Sequence, residues 1–403
     1  MSSATEIDGK PPDPPVGLGE IPVLLFIRGL FFVGLVVAAV LGLHYYLGVR
    51  LIRGGQVPEP YATVAWFALW SAFASIPASF ILGRVLPRNI SVHVQWIGFI
   101  WMGAFGVILS ATAISDFLLW GVAHAVTPTA QWSHFQALVV LGLTVPALVF
   151  GFRAARGKPT VVRLSVPVKG LGKGLDGFRI VQITDIHIGE TLGREFLEGV
   201  VAQVNALKPD LVAITGDAID GSVKSLRTEV EPFSKLVARH GSFYVTGNHE
   251  YYHGGSAWEA EAARLGLIVL HNAHRVVEQD GAQLVIAGVT DLEGARFSEH
   301  HRPNPDAAFA QAPTGVPRVL LAHQPRFAKA VTKHEVALQL SGHTHGGQMF
   351  PFMFFVRLQQ PVIAGFKLLW GVPVYTSRGT GYWGPPFRIG PSSEITEITL
   401  RSA

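Results

Sequence analysis

The chain has 403 residues, room for two or three domains. It is 49% hydrophobic and only 15% charged, well below the roughly 25% of ordinary soluble domains. Its net charge of +4 comes with no Lys/Arg block interleaved with aromatics, which argues against nucleic-acid binding. The absence of cysteine excludes disulfides, thiolate metal sites and cysteine nucleophiles.

Residues 1–20 are polar and rich in Pro and Gly (Lys10-Pro11-Pro12-Asp13-Pro14-Pro15), the composition of a disordered tail. A transmembrane region is expected over 21–154. It holds four apolar stretches: 21–49 with only Arg28 and His44, 61–82 without charge, 94–126 with only Asp116 and His124, and 132–152 without charge. Each reaches the roughly 20 residues needed to cross a hydrocarbon core about 30 Å thick. The first stretch is too long, and lacks the basic flank, for a cleaved signal peptide. Tyr45, Tyr46, Tyr61, Trp96, Trp120 and Trp132 gather near the ends of the stretches, where rings favour the headgroup zone.

Four spans put both termini on one side of the membrane. That side would carry Lys10, Arg84, Arg88, Arg153, Arg156 and Lys158, and the other only Arg50 and Arg53. The imbalance predicts cytoplasmic termini. The chain is therefore expected to be an integral membrane protein with its C-terminal domain in the cytoplasm.

Residues 155–177 read as a linker containing an edge strand at 161–166. From 178 to 403 strands and helices alternate. Strands are expected at 179–184, 210–215, 242–246, 284–289, 318–322 and 336–340, with a closing edge strand at 393–400. Helices are expected at 194–207, on an apolar stripe of Phe196, Val200, Val204 and Leu207, and at 229–240. This is an α/β pattern, and in open α/β sheets ligands bind beyond the carboxyl ends of the strands.

Five polar blocks stand at those ends: Asp185-Ile186-His187, Gly216-Asp217-Ala218-Ile219-Asp220, Gly247-Asn248-His249-Glu250, His323, and Gly342-His343-Thr344-His345. Asp and His donors without Cys suit Mn²⁺, Fe²⁺ or Zn²⁺. Flanking glycines allow a tight loop in which His343 and His345, opposed on a regular strand, reach one cluster. A carboxylate such as Asp217 can bridge two ions, and a water between them loses its proton near neutral pH and can attack phosphorus. Glu250 receives no role. His240, His253, His271, His274, His300, His301 and His334 match no block and read as surface or packing residues, with His253 also suited to the mouth of the site.

In order and spacing the five blocks resemble the calcineurin-like metallophosphoesterase superfamily. The later run Ser377-Arg378-Gly379-Thr380-Gly381, with Gly384-Pro385-Pro386-Phe387-Arg388 after it, resembles its membrane-associated bacterial branch. The resemblance implies two packed mixed β-sheets flanked by helices and two divalent metal ions. Asp185, His187 and His345 would hold one ion, and Asn248, His323 and His343 the other, with Asp217 bridging. His249 would act as general acid or charge stabiliser, oriented by Asp220.

Gln348–Leu358 and Phe366–Trp370 follow the last block with dense aromatic and apolar residues. They read either as a loop packing on its own core or as an apolar lip touching the bilayer or an acyl chain. The expected partners are thus membrane lipids and a phosphorylated substrate, including lipid-linked ones such as UDP-diacylglucosamine, which some membrane-linked relatives hydrolyse. Monoester, diester and pyrophosphate chemistry stay open. The competing reading is a transporter or sensor with a regulatory or inactive phosphoesterase-like domain. Coupled transport calls for buried intramembrane charge, for which only Arg28 and Asp116 are available.

Overall fold

The computed structural model describes residues 23–127 and 129–403, so the tail expected over 1–20 lies outside the described residues. Four helices come first: α1 (Val23–Gly48), α2 (Tyr61–Val85), α3 (Arg88–Ala123) and α4 (Ala130–Arg156). All four are long and apolar enough to cross a membrane. Large apolar side chains such as Phe31, Phe67, Phe117 and Phe135 stand exposed on them. In water such a surface would drive association; in a bilayer it meets its own solvent.

The one acid within these helices, Asp116 of α3, is tied to α1 and α4. It accepts hydrogen bonds from the Tyr46 hydroxyl and from Gln136 on α4, each at 2.5 Å. It also pairs with Arg50, in the π-helical turn Val49–Arg53 that continues α1, at 2.5 Å. Intramembrane charge is tolerated when paired in this way.

The remainder is an α/β unit. Its elements are β1 (Thr160–Val168), β2 (Arg179–Ile183), α5 (Arg194–Ala206), β3 (Leu211–Thr215), α6 (Val223–Val230), β4 (Ser242–Val245), α7 (Asn248–Tyr252), α8 (Gly255–Arg264) and β5 (Ile268–Val269). Then come β6 (Ala273–Gln279), β7 (Ala282–Gly288), α9 (Pro305–Ala308), β8 (Arg318–Leu321), β9 (Leu338–Ser341), α10 (Met353–Gln359), β10 (Gly365–Leu369), β11 (Val372–Thr376) and β12 (Glu394–Ser402). The strands form two six-stranded mixed sheets, ordered β1-β12-β2-β3-β4-β5 and β10-β11-β9-β8-β7-β6.

Alternation along the strands builds three apolar layers, because successive side chains point to opposite faces. Ile180, Leu211, Ala213, Phe243 and Val245 of the first sheet meet Leu284, Ile286, Val319, Leu321, Leu338 and Leu340 of the second. Val181, Ile183, Val212 and Ile214 face outward beneath Leu197, Val200 and Val204 of α5 and Trp258 of α8. The outer face of the second sheet is covered by Phe309, Phe327, Ala328 and Val331. With both faces covered, the parallel strands read as continuous apolar runs.

Two expectations need correction. No α-helix runs through 231–240: Pro232 interrupts the pattern and only a 3₁₀ turn, Glu231–Lys235, forms there. The helix lies earlier, as α6, opened by the Ser222 hydroxyl accepting from the Ser225 amide at 3.3 Å. The closing strand is not an edge: β12 lies between β1 and β2, because β1 pairs in parallel along its outer side. The second sheet also gains the β6–β7 hairpin, turned at Asp280-Gly281 with both residues at positive φ, a tight-turn pair available to sequence reading.

Candidate metal centre

β2, β3 and β4 of one sheet and β8 and β9 of the other each run into a short loop, and the polar blocks sit in those loops. Asp185, His187, Asp217, His343 and His345 all adopt positive φ, between 51° and 71°. Such left-handed turns are rare for residues with a Cβ, cost on the order of 1–3 kcal/mol each, and collect at functional sites. Here they turn alternate side chains, which a regular strand would send apart, toward one pocket.

Two groups of donors result. Asp185, His187 and His345 converge, with His187 Nε2 3.0 Å from His345 Nε2 and His345 Nε2 3.4 Å from Asp185 Oδ1. Asp217, His323 and His343 form the second group, with His323 Nε2 3.2 Å from both Asp217 Oδ2 and His343 Nδ1. Asp217 Oδ2 also lies 3.9 Å from His187 Nε2, so this carboxylate stands between the groups.

The partners outside the pocket choose which ring nitrogen faces in. His323 Nδ1 donates to the Thr215 carbonyl at 2.8 Å, and His187 Nδ1 to Asp220 at 3.1 Å. Both Nε2 lone pairs are left pointing inward. Asp185 is held by the His343 amide at 2.9 Å and the Thr184 hydroxyl at 2.8 Å. Asn248 Oδ1 is buried without a hydrogen-bond partner, a costly state for a polar atom. A divalent cation would satisfy it, and the mixture of imidazole, carboxylate and amide oxygen fits Mn²⁺, Fe²⁺ or Zn²⁺. Gly247 keeps the pocket open, since a Cβ there would collide with Asp217 Oδ1.

Burial opposes ionisation of Asp217, yet neighbouring His323 and His249 hold its carboxyl well below the usual range. Burial, reinforced by His323, pushes His343 down to about 3, and burial with His187 nearby likewise holds His345 neutral. A neutral imidazole is the ligand form. His249 differs. Its Nδ1 bonds Asp220 while its Nε2 lies 4.0 Å from Asp217 Oδ2. Against the effect of burial, Asp220 and Asp217 push its pKa up to about 9. Asp220 thus supports His187 and His249 together.

Sequence reading left several contributors without a role. Glu250 is buried and its carboxylate accepts from the amides of Gly247 (2.6 Å), Asp217 (3.0 Å) and Ala218 (2.8 Å), pinning two loops together. The signal was its position three residues after the helix-opening Gly247, the spacing of a capping box. Exposed aromatics rim the pocket: His249 lies 5.3 Å from the Tyr252 ring and 5.8 Å from Trp383. His253, which sequence reading did suit to the mouth of the site, lies with Asp220 and His249 at this rim.

Arg388 is the contributor least expected. Buried and hydrogen-bonded to no carboxylate among the described residues, its guanidinium donates to the carbonyls of Gly381 at 2.6 Å, Arg378 at 2.8 Å and His345 at 3.3 Å. Burial pushes its pKa down to about 10. Its own amide donates to the Gly151 carbonyl of α4 at 2.9 Å. Next to it, Phe387 packs so closely on α3 that a Cβ on Gly103 would collide with the ring. One short loop therefore touches both the apolar helices and the backbone of a pocket histidine.

The expected lip divides. Gln348 and Met349 are buried, and Gln348 clamps the Trp383–Pro385 loop through bonds at 2.9 and 3.0 Å to the two carbonyls. Phe354, Phe355 and Leu358 of α10 stand exposed, as do Phe366, Leu368 and Trp370 of the β10–β11 hairpin.

Two packed mixed sheets with Asp, His and Asn donors clustered at their strand ends define the metallophosphoesterase class. The chain belongs to the calcineurin-like phosphoesterase family, whose model matches residues 178–347. It is 33% identical over 372 residues to the "Transmembrane protein with metallophosphoesterase domain" of Bos taurus, spanning 86% of this chain and 83% of that protein. The Danio rerio protein of the same description is 38% identical over 283 residues, 68% of this chain and 64% of that protein. An "Uncharacterized metallophosphoesterase" of Helicobacter pylori is 30% identical over 90% of this chain and 96% of its own length. With its four apolar helices, this chain is a membrane protein of that family.

Proposed function

We propose that the protein is a membrane-anchored, dinuclear-metal phosphoesterase that hydrolyses a phosphate ester or pyrophosphate bond on a lipid-linked substrate. The observation that carries this reading is the pair of donor groups sharing Asp217, with the unpartnered Asn248 oxygen beside them. Asp185, His187, His345 and Asp217 would hold one ion, and Asp217, Asn248, His323 and His343 the other. When bound, such ions supply positive charge for phosphoryl oxygens and acidify a water to a nucleophile.

The remaining roles belong to the chain. His249, held by Asp220, would donate a proton to the leaving oxygen from Nε2, and the shared carboxylate keeps its tautomer defined. Tyr252 and Trp383 offer flat apolar faces to whatever the leaving group carries. A lipid-linked substrate is supported by the exposed apolar side chains of α10 and the β10–β11 hairpin, together with the nearby loop that packs on α3. A bacterial inner membrane goes with the resemblance to a membrane-associated bacterial branch, and a cytoplasmic side for the site is supported by the distribution of basic residues. The helices read as anchor rather than transport path: Asp116 is already held by Arg50, Tyr46 and Gln136.

The test is hydrolysis of bis-p-nitrophenyl phosphate and of a lipid pyrophosphate by detergent-purified protein with Mn²⁺, comparing wild type with Asp217→Asn. Turnover abolished by the substitution and by chelator supports the dinuclear reading. A variant as active as wild type would refute it.

A further inference from the structure

A second cluster of donors lies behind the pocket, where α8, the β5–β6 turn and the 3₁₀ turn Glu299–His301 meet. Glu259, His271 and His301 each offer a ligand atom within 4.8 Å of the others. We propose that these three residues form a separate site for one divalent transition-metal ion of the zinc type, which fastens the loop 291–302 to α8.

The hydrogen bonds around the cluster carry the argument. His271 Nε2 donates to the His300 carbonyl at 3.0 Å, while its Nδ1 lies 2.8 Å from Glu259 Oε1, where a bound cation would replace the proton between them. His301 Nε2 is engaged by the Ser256 hydroxyl at 2.8 Å, while its Nδ1 is buried with no hydrogen-bond partner. Outer partners that fix both rings and turn the inner nitrogens toward one point are the usual setting of a metal-bound histidine. An ion pair between His271 and Glu259 alone would leave His301 Nδ1 orphaned, which buried polar atoms rarely are. Two imidazoles and one carboxylate, with a fourth position left to water, match zinc's preferred donors.

The consequence reaches the candidate centre. The ring of Tyr251 meets His301 edge-on at 5.0 Å and stacks on Phe297 at 6.1 Å, and Tyr252 meets Phe297 at 6.0 Å. Tyr251 and Tyr252 close the short helix α7 that opens with Asn248. An ion at Glu259, His271 and His301 would therefore stiffen the loop that supports one wall of the pocket without contributing a ligand to it.

The test is metal analysis of full-length protein purified with zinc and exchanged into metal-free buffer. His301→Ala should carry one equivalent less zinc than wild type. Asp185→Asn/Asp217→Asn, with the centre disabled and the cluster intact, should still bind one Co²⁺ and show d–d absorption of a four-coordinate ion. This second variant keeps the proposal testable should His301→Ala fail to fold. Wild-type zinc content in folded His301→Ala overturns it, and so does a double variant that binds no Co²⁺. Either result leaves the dinuclear reading standing, since that reading rests on Asp217→Asn turnover.

Discussion

His249 and Asp220 show how one carboxylate can serve two purposes. Asp220 accepts from His187 and His249 together, so replacing it would disturb a proposed ligand as well as the proposed acid. The cleaner probe is His249→Gln. General-acid groups contribute roughly 10²–10⁴-fold, so kcat on an alkyl phosphate ester should fall by about that factor with KM little changed. The fall should shrink for p-nitrophenyl esters, whose leaving group needs no proton. Equal losses on both classes, measured by steady-state kinetics, would remove the general-acid role. Glu250 acts differently: its three amide contacts shape the loops of Asp217 and Asn248 and place it in support of the pocket.

At the scale of elements, the loop from Gly381 to Ile389 joins the helices to the pocket. Gly103 accepts the Phe387 ring, whereas a Cβ added at Gly121 on the same helix would meet nothing within 4 Å. Gly103→Leu should therefore push the loop away, shift Arg388 off the His345 carbonyl and lower metal affinity and turnover. Gly121→Leu should do neither. Metal titration of the two variants in detergent checks this, and matched affinities would mean the helices only tether. Helix α10 has the exposed apolar face of an element that lies at a membrane surface. Phe354→Ser/Phe355→Ser should lower turnover of vesicle-borne lipid phosphates several-fold while sparing soluble esters. An equal drop on both would show that these rings support the fold instead.

For the whole molecule, the distribution of basic residues predicts that the phosphoesterase-family unit and the termini share the cytoplasmic side. A chain without cysteine allows a direct check by single introduced thiols. In intact bacterial cells, Glu59→Cys in the α1–α2 connection should react with an impermeant maleimide, and Lys169→Cys should react only after lysis. The reverse labelling pattern would invert the topology. The two sites are exposed, so access is set by the membrane rather than by packing.

Much of the pocket was legible because its chemistry is local. Each loop carries its own donor beside a glycine or a strand end, and the five blocks keep their order along the chain. The four apolar helices were legible for a similar reason, since crossing a bilayer demands a contiguous run of apolar residues. What depends on contacts between distant segments was not. Glu250 draws its role from amides more than 30 residues away in sequence. Arg388 owes its role to carbonyls of two other segments and of one helix, and β12 becomes an inner strand only because β1, more than 230 residues earlier, adds beside it. Local composition determines which residues can bind a metal or enter a membrane; only tertiary structure decides that a loop wedged against transmembrane helices also holds the backbone of a histidine in the candidate metal centre, because packing brings together groups that no sequence interval relates.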